Sequence, residues 1–300
     1  MKTSDIKKIL VPVDFSETST NALNEAIILT GVLEAELYLI HVMEFMAGYI
    51  SMYSDMSLPL DLPSNTELTQ IIKDKMEAMK QHISKEFEII PHIQISEGET
   101  YSEIIAFSES EKIDLIVMGT HGISGYKELF LGSNAQRVIS LSDIPVLSLQ
   151  KACKDIDFKN ILIPIDNSIH SREKVNVTLM IAQLFGSKIH LLGLLDSNEE
   201  QERNKFTTKL NAVEKNIIAS KLEYVKSIVM CDNFAETTKK YAIKNHCDLI
   251  AINTGHESRL TGIFMGLFAQ QIVNHSKIPV LSFKHHSGQF MIETSGYGIS

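Results

Sequence analysis

Several features that mark common function classes are missing from this chain. Among its 300 residues no apolar run reaches about 18, so no membrane-spanning helix is expected. No basic patch offsets the formal net charge of −9, which argues against a nucleic-acid surface. There are only three cysteines, Cys153, Cys231 and Cys247. They lack metal-ligand spacing and read as reduced thiols of a cytoplasmic protein. The opening MKTSDIKKIL is charged and leads straight into an apolar strand, which is not the pattern of a signal peptide. The two commonest phosphate-loop signatures are absent from the glycine-rich stretch at 119–134: no Gly-Lys-Ser/Thr follows it, and it does not read GxGxxG.

What is present is a strand, a glycine-rich loop and a helix in succession. Leu115-Ile116-Val117-Met118 is an apolar run of strand length. GTHGISGYKELFLGSN follows, with glycines at 119, 122, 125 and 132, and then Ala135, Val138, Ile139 and Leu141 at helical spacing. Ser133 is the expected N-cap. A helix start presents unpaired N–H groups and the positive end of the helix dipole, and glycine admits a ligand without a Cβ in the way. The stretch therefore reads as a phosphate cradle. The plainer alternative is that the glycines are turn residues and Ser133 only a cap.

The rest of the first 150 residues alternates strand and helix. Ile9–Val13, Leu37–Val42, Ile89–Ile95, Asp114–Gly119 and Ile144–Leu149 read as strands, with helices between them at 16–33, 66–86, 101–111 and from 133. Met43 to Ser64, with four Met, two Tyr and two Pro, reads as a partner-covering or mobile loop. Such alternation predicts a doubly wound parallel sheet. Ligands of these sheets lie beyond the carboxyl ends of the strands, where the strand order switches, and Asp14, His41-Val42 and Gly119 stand at three such ends.

The chain then repeats. ILVPVDFS at 9–16 returns as ILIPIDNS at 161–168, an offset of 152. Asp114-Leu115-Ile116 and Ile144-Pro145-Val146-Leu147-Ser148 return at an offset of 134. The difference of 18 residues is assigned to the counterpart of the Met-rich loop. The expected fold is α/β: two tandem, doubly wound, five-stranded parallel-sheet domains at 1–150 and 151–284, joined near 151–157, with a polar tail at 285–300.

These residues resemble the universal stress protein family. Gly119-x2-Gly122-x9-Gly132-Ser133 is similar to its ATP-binding signature, the openings ILVPVDFS and ILIPIDNS to its first strand, and IPVLS to its last. The resemblance covers about residues 5–284 and implies a Rossmann-like, adenine-nucleotide α-hydrolase-like fold with the halves packed as an intrachain pseudo-dimer, the strands around Val146 and Val280 near the contact. Carried over by position, it implies ATP as ligand, with Mg2+ as an optional companion. Asp14 would bind the ribose, with Pro12 and Val13 beside it, and Val42 would meet adenine through its backbone. Met118, Gly119, His121 and Gly122 would line the ribose and phosphate path. Gly132, Ser133 and Asn134 would hold the phosphates. Plainer roles stay open: Asp14 as a helix cap, His121 as an ordinary loop residue, Lys127 and Glu128 as solvated charges.

The second half departs from the signature. Gly119, Gly122, Gly125 and Ser133 become Asn253, His256, Arg259 and Leu267, while Gly266 and Asp166 persist. One nucleotide site per chain is therefore expected, in the first half, with Leu267 lying where phosphate would. Backbone amides and a helix end contribute about 1–2 kcal/mol each, enough with adenine burial for micromolar binding. Turnover would need a positioned base and more charge. A nucleotide-responsive stress protein is favoured over a slow ATPase or autokinase, and over a nucleotide-independent scaffold. An α-hydrolase enzyme would show Ser-Gly-Gly-x-Asp-Ser where this chain has Asp14-Phe15-Ser16-Glu17-Thr18. The protein partner is unspecified, and a homodimer of such chains is compatible with the repeat.

Overall fold

A computed structural model describes residues 6–44, 65–120, 131–150, 157–168, 172, 174–255 and 265–284. His121, Gly122, Gly125, Lys127, Glu128, most of the Met-rich segment and the tail lie outside the described residues.

The first half runs β1 (Lys8–Pro12), α1 (Glu17–Leu33), β2 (Glu36–Met43), α2 (Asn65–Phe87), β3 (His92–Glu97), α3 (Thr100–Ser110), β4 (Leu115–Gly119), α4 (Ser133–Leu141) and β5 (Val146–Leu149). The second runs β6 (Asn160–Ile165), α5 (Val175–Phe185), β7 (Lys188–Leu195), α6 (Glu200–Ser220), β8 (Tyr224–Met230), α7 (Phe234–Lys244), β9 (Leu249–Asn253), α8 (Leu267–His275) and β10 (Val280–Phe283). The residues missing from the second copy fall where expected. Residues 44–64 separate β2 from α2, whereas only 196–199 separate β7 from α6.

All ten strands form one sheet in the order β3-β2-β1-β4-β5-β10-β9-β6-β7-β8. Every neighbouring pair is parallel except β5 and β10, which are antiparallel with Leu147 opposite Leu281. The halves are thus related by a pseudo-twofold axis through the β5–β10 pair. Reciprocal side-chain bonds reinforce this seam. Gln150 Nε2 donates to Val273 O near the end of α8 at 3.4 Å, and Lys284 Nζ donates to Leu141 O at the end of α4 at 2.8 Å while pairing with Asp143 at 2.7 Å.

Strand residues alternate between two cores because successive side chains leave opposite faces of the sheet. Ile9 and Val11 join Ala22, Ala26 and Leu29 of α1, and in the same layer Ile161, Phe206 and Leu210. Leu10 and Ile116 face the other way, onto Ile104 of α3 and Val138 of α4, continuous with Ile250 and Ile272. Both faces of each five-stranded unit are covered, which accounts for strands that read as unbroken apolar runs.

Candidate functional site

In each half the first and fourth strands are neighbours while their connections leave in opposite directions, which opens a crevice at their carboxyl ends. In the first half this crevice is a cavity of about 660 Å3, within the range of about 300–1,000 Å3 usual for small-molecule sites. Pro12, Val13, Asp14, Val42, Met118, Gly119, Gly132, Ser133 and Asn134 all line it. The other two residues singled out from the sequence, His121 and Gly122, lie outside the described residues.

The loop after β1 has a tight local structure. Ser16, not Asp14, caps α1: its hydroxyl accepts from Ser19 N–H at 3.2 Å. Asp14 instead closes a turn, one carboxylate oxygen accepting from Ser16 N–H at 2.9 Å. Its second oxygen has no partner among the described residues. Between them Phe15 takes a left-handed φ of 62°, a conformation that costs a non-glycine residue energy and recurs at functional loops. Its ring is held by His41, 4.9 Å between centroids, and by Lys75, whose Nζ lies 5.2 Å from the ring centre. His41 Nδ1 is 2.7 Å from Val13 O, and a carbonyl can only accept, so Nδ1 carries the proton.

The end of β2 directs backbone groups toward the crevice. Val13 N–H donates to Ile40 O at 2.8 Å, so Ile40 directs its peptide groups toward β1. In a parallel ladder the direction alternates residue by residue. Met43 O, accepting from Gly98 N–H at 3.1 Å, points to the β3 side as that rule requires. Val42 therefore aims its N–H and C=O over the end of β1, into the crevice. They place one donor and one acceptor side by side at the cavity wall.

The geometry at the start of α4 and the end of β4 corrects two expectations. The N-cap of α4 is Gly132, not Ser133, and no side chain caps the helix. Ser133 is the first helical residue, so the first-turn N–H groups open on the cavity without a competing hydroxyl cap. The reason for glycine at 119 also differs. A Cβ there would stand 2.8 Å from the carbonyl carbon and oxygen of Thr18, so Gly119 is required by the close approach of α1 rather than by a ligand.

His41, named from the sequence as a strand-end residue, lines the same cavity, as do Met43, Glu44, Glu97, Thr100 and Thr120, which the sequence did not single out. Glu44 and Thr100 are 56 positions apart, yet Thr100 Oγ1 donates to Glu44 Oε1 at 2.7 Å. Asn134 Nδ2 reaches the same oxygen at 3.4 Å. Among the described residues no group of three or more His, Cys, Asp or Glu could hold a metal ion, and no helix is long and apolar enough to cross a membrane. Cys231 and Cys247 are free thiols, and burial pushes Cys247 up to about 12, making it inert.

The second crevice is built differently. Leu267, expected to obstruct it, is 70% exposed at the first position of α8 and points its bulk to solvent. The packing beneath it differs as well. Gly193 takes the place of His41, and a Cβ there would lie 3.0 Å from both Phe206 and Leu210. Those two fully buried α6 residues stand where α2 has Ile72 and Met76. At the mouth, Phe234 and Phe268 replace Thr100 and Asn134, both packed against the core.

Comparison with known proteins agrees with this architecture. The family model described as "Universal stress protein family" matches residues 5–149 and again 157–284. Universal stress protein MJ0531 of Methanocaldococcus jannaschii is 34% identical over 152 residues, covering 50% of this chain and 85% of the relative. Universal stress protein MJ0577 of the same organism is 31% identical over 157 residues, covering 48% and 95%. Among solved structures, a universal stress protein from Archaeoglobus fulgidus DSM 4304 superposes with a TM-score of 0.69 at 19% identity, covering 93% of this chain and 97% of that one. A universal stress protein from Pseudomonas aeruginosa UCBPP-PA14 gives 0.63 at 16%, covering 93% and 94%. At those identities the two structures speak for the fold alone. Two matches of the family model span nearly the whole length, and the chain belongs to the universal stress protein family, with two copies of its domain in tandem.

Proposed function

We propose that this protein binds one ATP per chain, in the first-half crevice, and acts as a nucleotide-responsive regulator in the stress response. The second half serves as its structural partner. The observation that carries this reading is the cavity itself: about 660 Å3 at the switch point of the sheet, with a helix start that has no side-chain cap among the described residues at one end and the inward-directed backbone of Val42 at the other. Adenine would meet the N–H and C=O of Val42, one donor and one acceptor. The ribose hydroxyls would donate to the free oxygen of Asp14. The phosphates would meet the first-turn N–H groups of α4, with Ser133 and Asn134 beside them. Mg2+ would enter as the counterion of the phosphates.

Binding rather than turnover fits the described residues. Arg137, the cation on α4, is engaged by Glu99 at 2.6 Å. The Nδ1 proton of His41 is committed to Val13 O, which leaves its ring anchored beside the adenosine end rather than the phosphate end. Calorimetric titration tests the proposal. ATP should bind the natural protein at micromolar levels. The double variant Ser133→Leu/Asn134→Phe, which copies the start of α8 into α4, should bind at least tenfold more weakly. Equal affinities would remove the α4 terminus from the site.

A further inference from the structure

The phosphate end of the first crevice holds a carboxylate. Glu44, one residue beyond β2, accepts from the hydroxyl of Thr100, the first residue of α3, at 2.7 Å, and lies 3.4 Å from Asn134 Nδ2, on the second residue of α4. Two helix N-termini thus converge on one anionic oxygen, the charge that such termini favour. Both donors that it holds line the cavity. In the second half Asp196 stands in the place of Glu44, but Phe234 and Phe268 replace the donors, so this arrangement belongs to the first half.

We propose that Glu44 is a tethered stand-in for the nucleotide's phosphate tail. This rests on the reading of the crevice as a nucleotide site and adds a determinant of which ligand it prefers. An arriving triphosphate needs the same donors and carries like charge, so it must displace the carboxylate from Thr100 and Asn134. A nucleoside without phosphates leaves Glu44 in place. Glu44 therefore lowers affinity in proportion to the charge of the tail, and the site discriminates against free polyphosphate whose charge no cation shields.

The test is calorimetric titration of ATP and, separately, of adenosine into the natural protein and into Glu44→Gln, with EDTA present. Glu44 is exposed at a loop, so the substitution leaves the core intact. Glutamine keeps the shape and removes the charge. ATP should bind Glu44→Gln more tightly, on the order of fivefold given solvent screening, while adenosine changes by less than about twofold. Unchanged or weaker ATP binding, or an equal gain for adenosine, would overturn the assignment of Glu44 while leaving the nucleotide site standing. No uptake of either ligand by either protein would overturn the nucleotide reading itself.

Discussion

The two halves share a strand order, a core and a helix start, and differ in what fills the end of the crevice. The first half puts His41 and Ile72 where the second puts Gly193 and Phe206. It puts Gly119 against the backbone of Thr18, where the second has Asn253. In the second half the corresponding helix, α5, is described from Val175. Both the amide nitrogen and the amide oxygen of Asn253 are buried with no hydrogen-bond partner among the described residues. Burying such groups unpaired costs about 1–3 kcal/mol. At the switch point the first copy has a cavity of about 660 Å3, while at the corresponding place in the second Phe206 and Leu210 lie against Gly193. What differs between the two copies is chiefly the set of side chains at that place, since the strand order and element order are shared.

The comparison can be broken by exchanging those side chains. The largest effect is expected from Phe206→Ala, which empties a fully buried aromatic position and should cost about 3–5 kcal/mol in denaturant unfolding. Ile72→Ala, at the half-buried counterpart, should cost clearly less. Equal losses would mean that the first crevice is as tightly packed as the second.

A smaller effect is expected from Gly119→Asn, which copies the second half into the first. The new Cβ cannot fit against Thr18 without moving α1, a strain of about 1–3 kcal/mol. The reverse change, Asn253→Gly, should be neutral or stabilising, because it removes two unpartnered amide groups at the cost of about 0.5–1 kcal/mol of glycine flexibility. Symmetrical destabilisation by the two variants would contradict this account of Gly119.

Much of this architecture is legible in the sequence because both cores demand apolar strands and the duplication prints each strand twice. The lining of the crevice was partly legible, through residues at strand ends. Other features were hidden for physical reasons. Gly132 and Ser133 both suit an N-cap, and only the φ and ψ of the loop choose between them. The pairing of Gly193 with Phe206, like that of Glu44 with Thr100, depends on packing between elements far apart in sequence. Leu267 looks obstructive in a string of letters, yet the first position of a helix can turn its side chain to solvent.

The smallest expected effect concerns His190, in β7, which replaces Tyr38 of the first half. Its Nδ1 is buried with no partner among the described residues, and burial, aided by the nearby Lys188 and opposed by Glu223, holds its pKa below the ordinary 6.5. The unfolded chain then takes up a proton that the folded one resists, so stability should fall as pH drops from about 7 toward 5. His190→Phe should flatten that decline. An unchanged slope would place the acid sensitivity elsewhere.

The central claim is that one crevice of two is open to a nucleotide. The stoichiometry of ATP bound to the purified chain at saturation tests it most directly. The account predicts one equivalent per chain. Two equivalents would mean that the Phe206-packed half binds as well, and none would mean that the cavity beside Gly132 serves some other ligand.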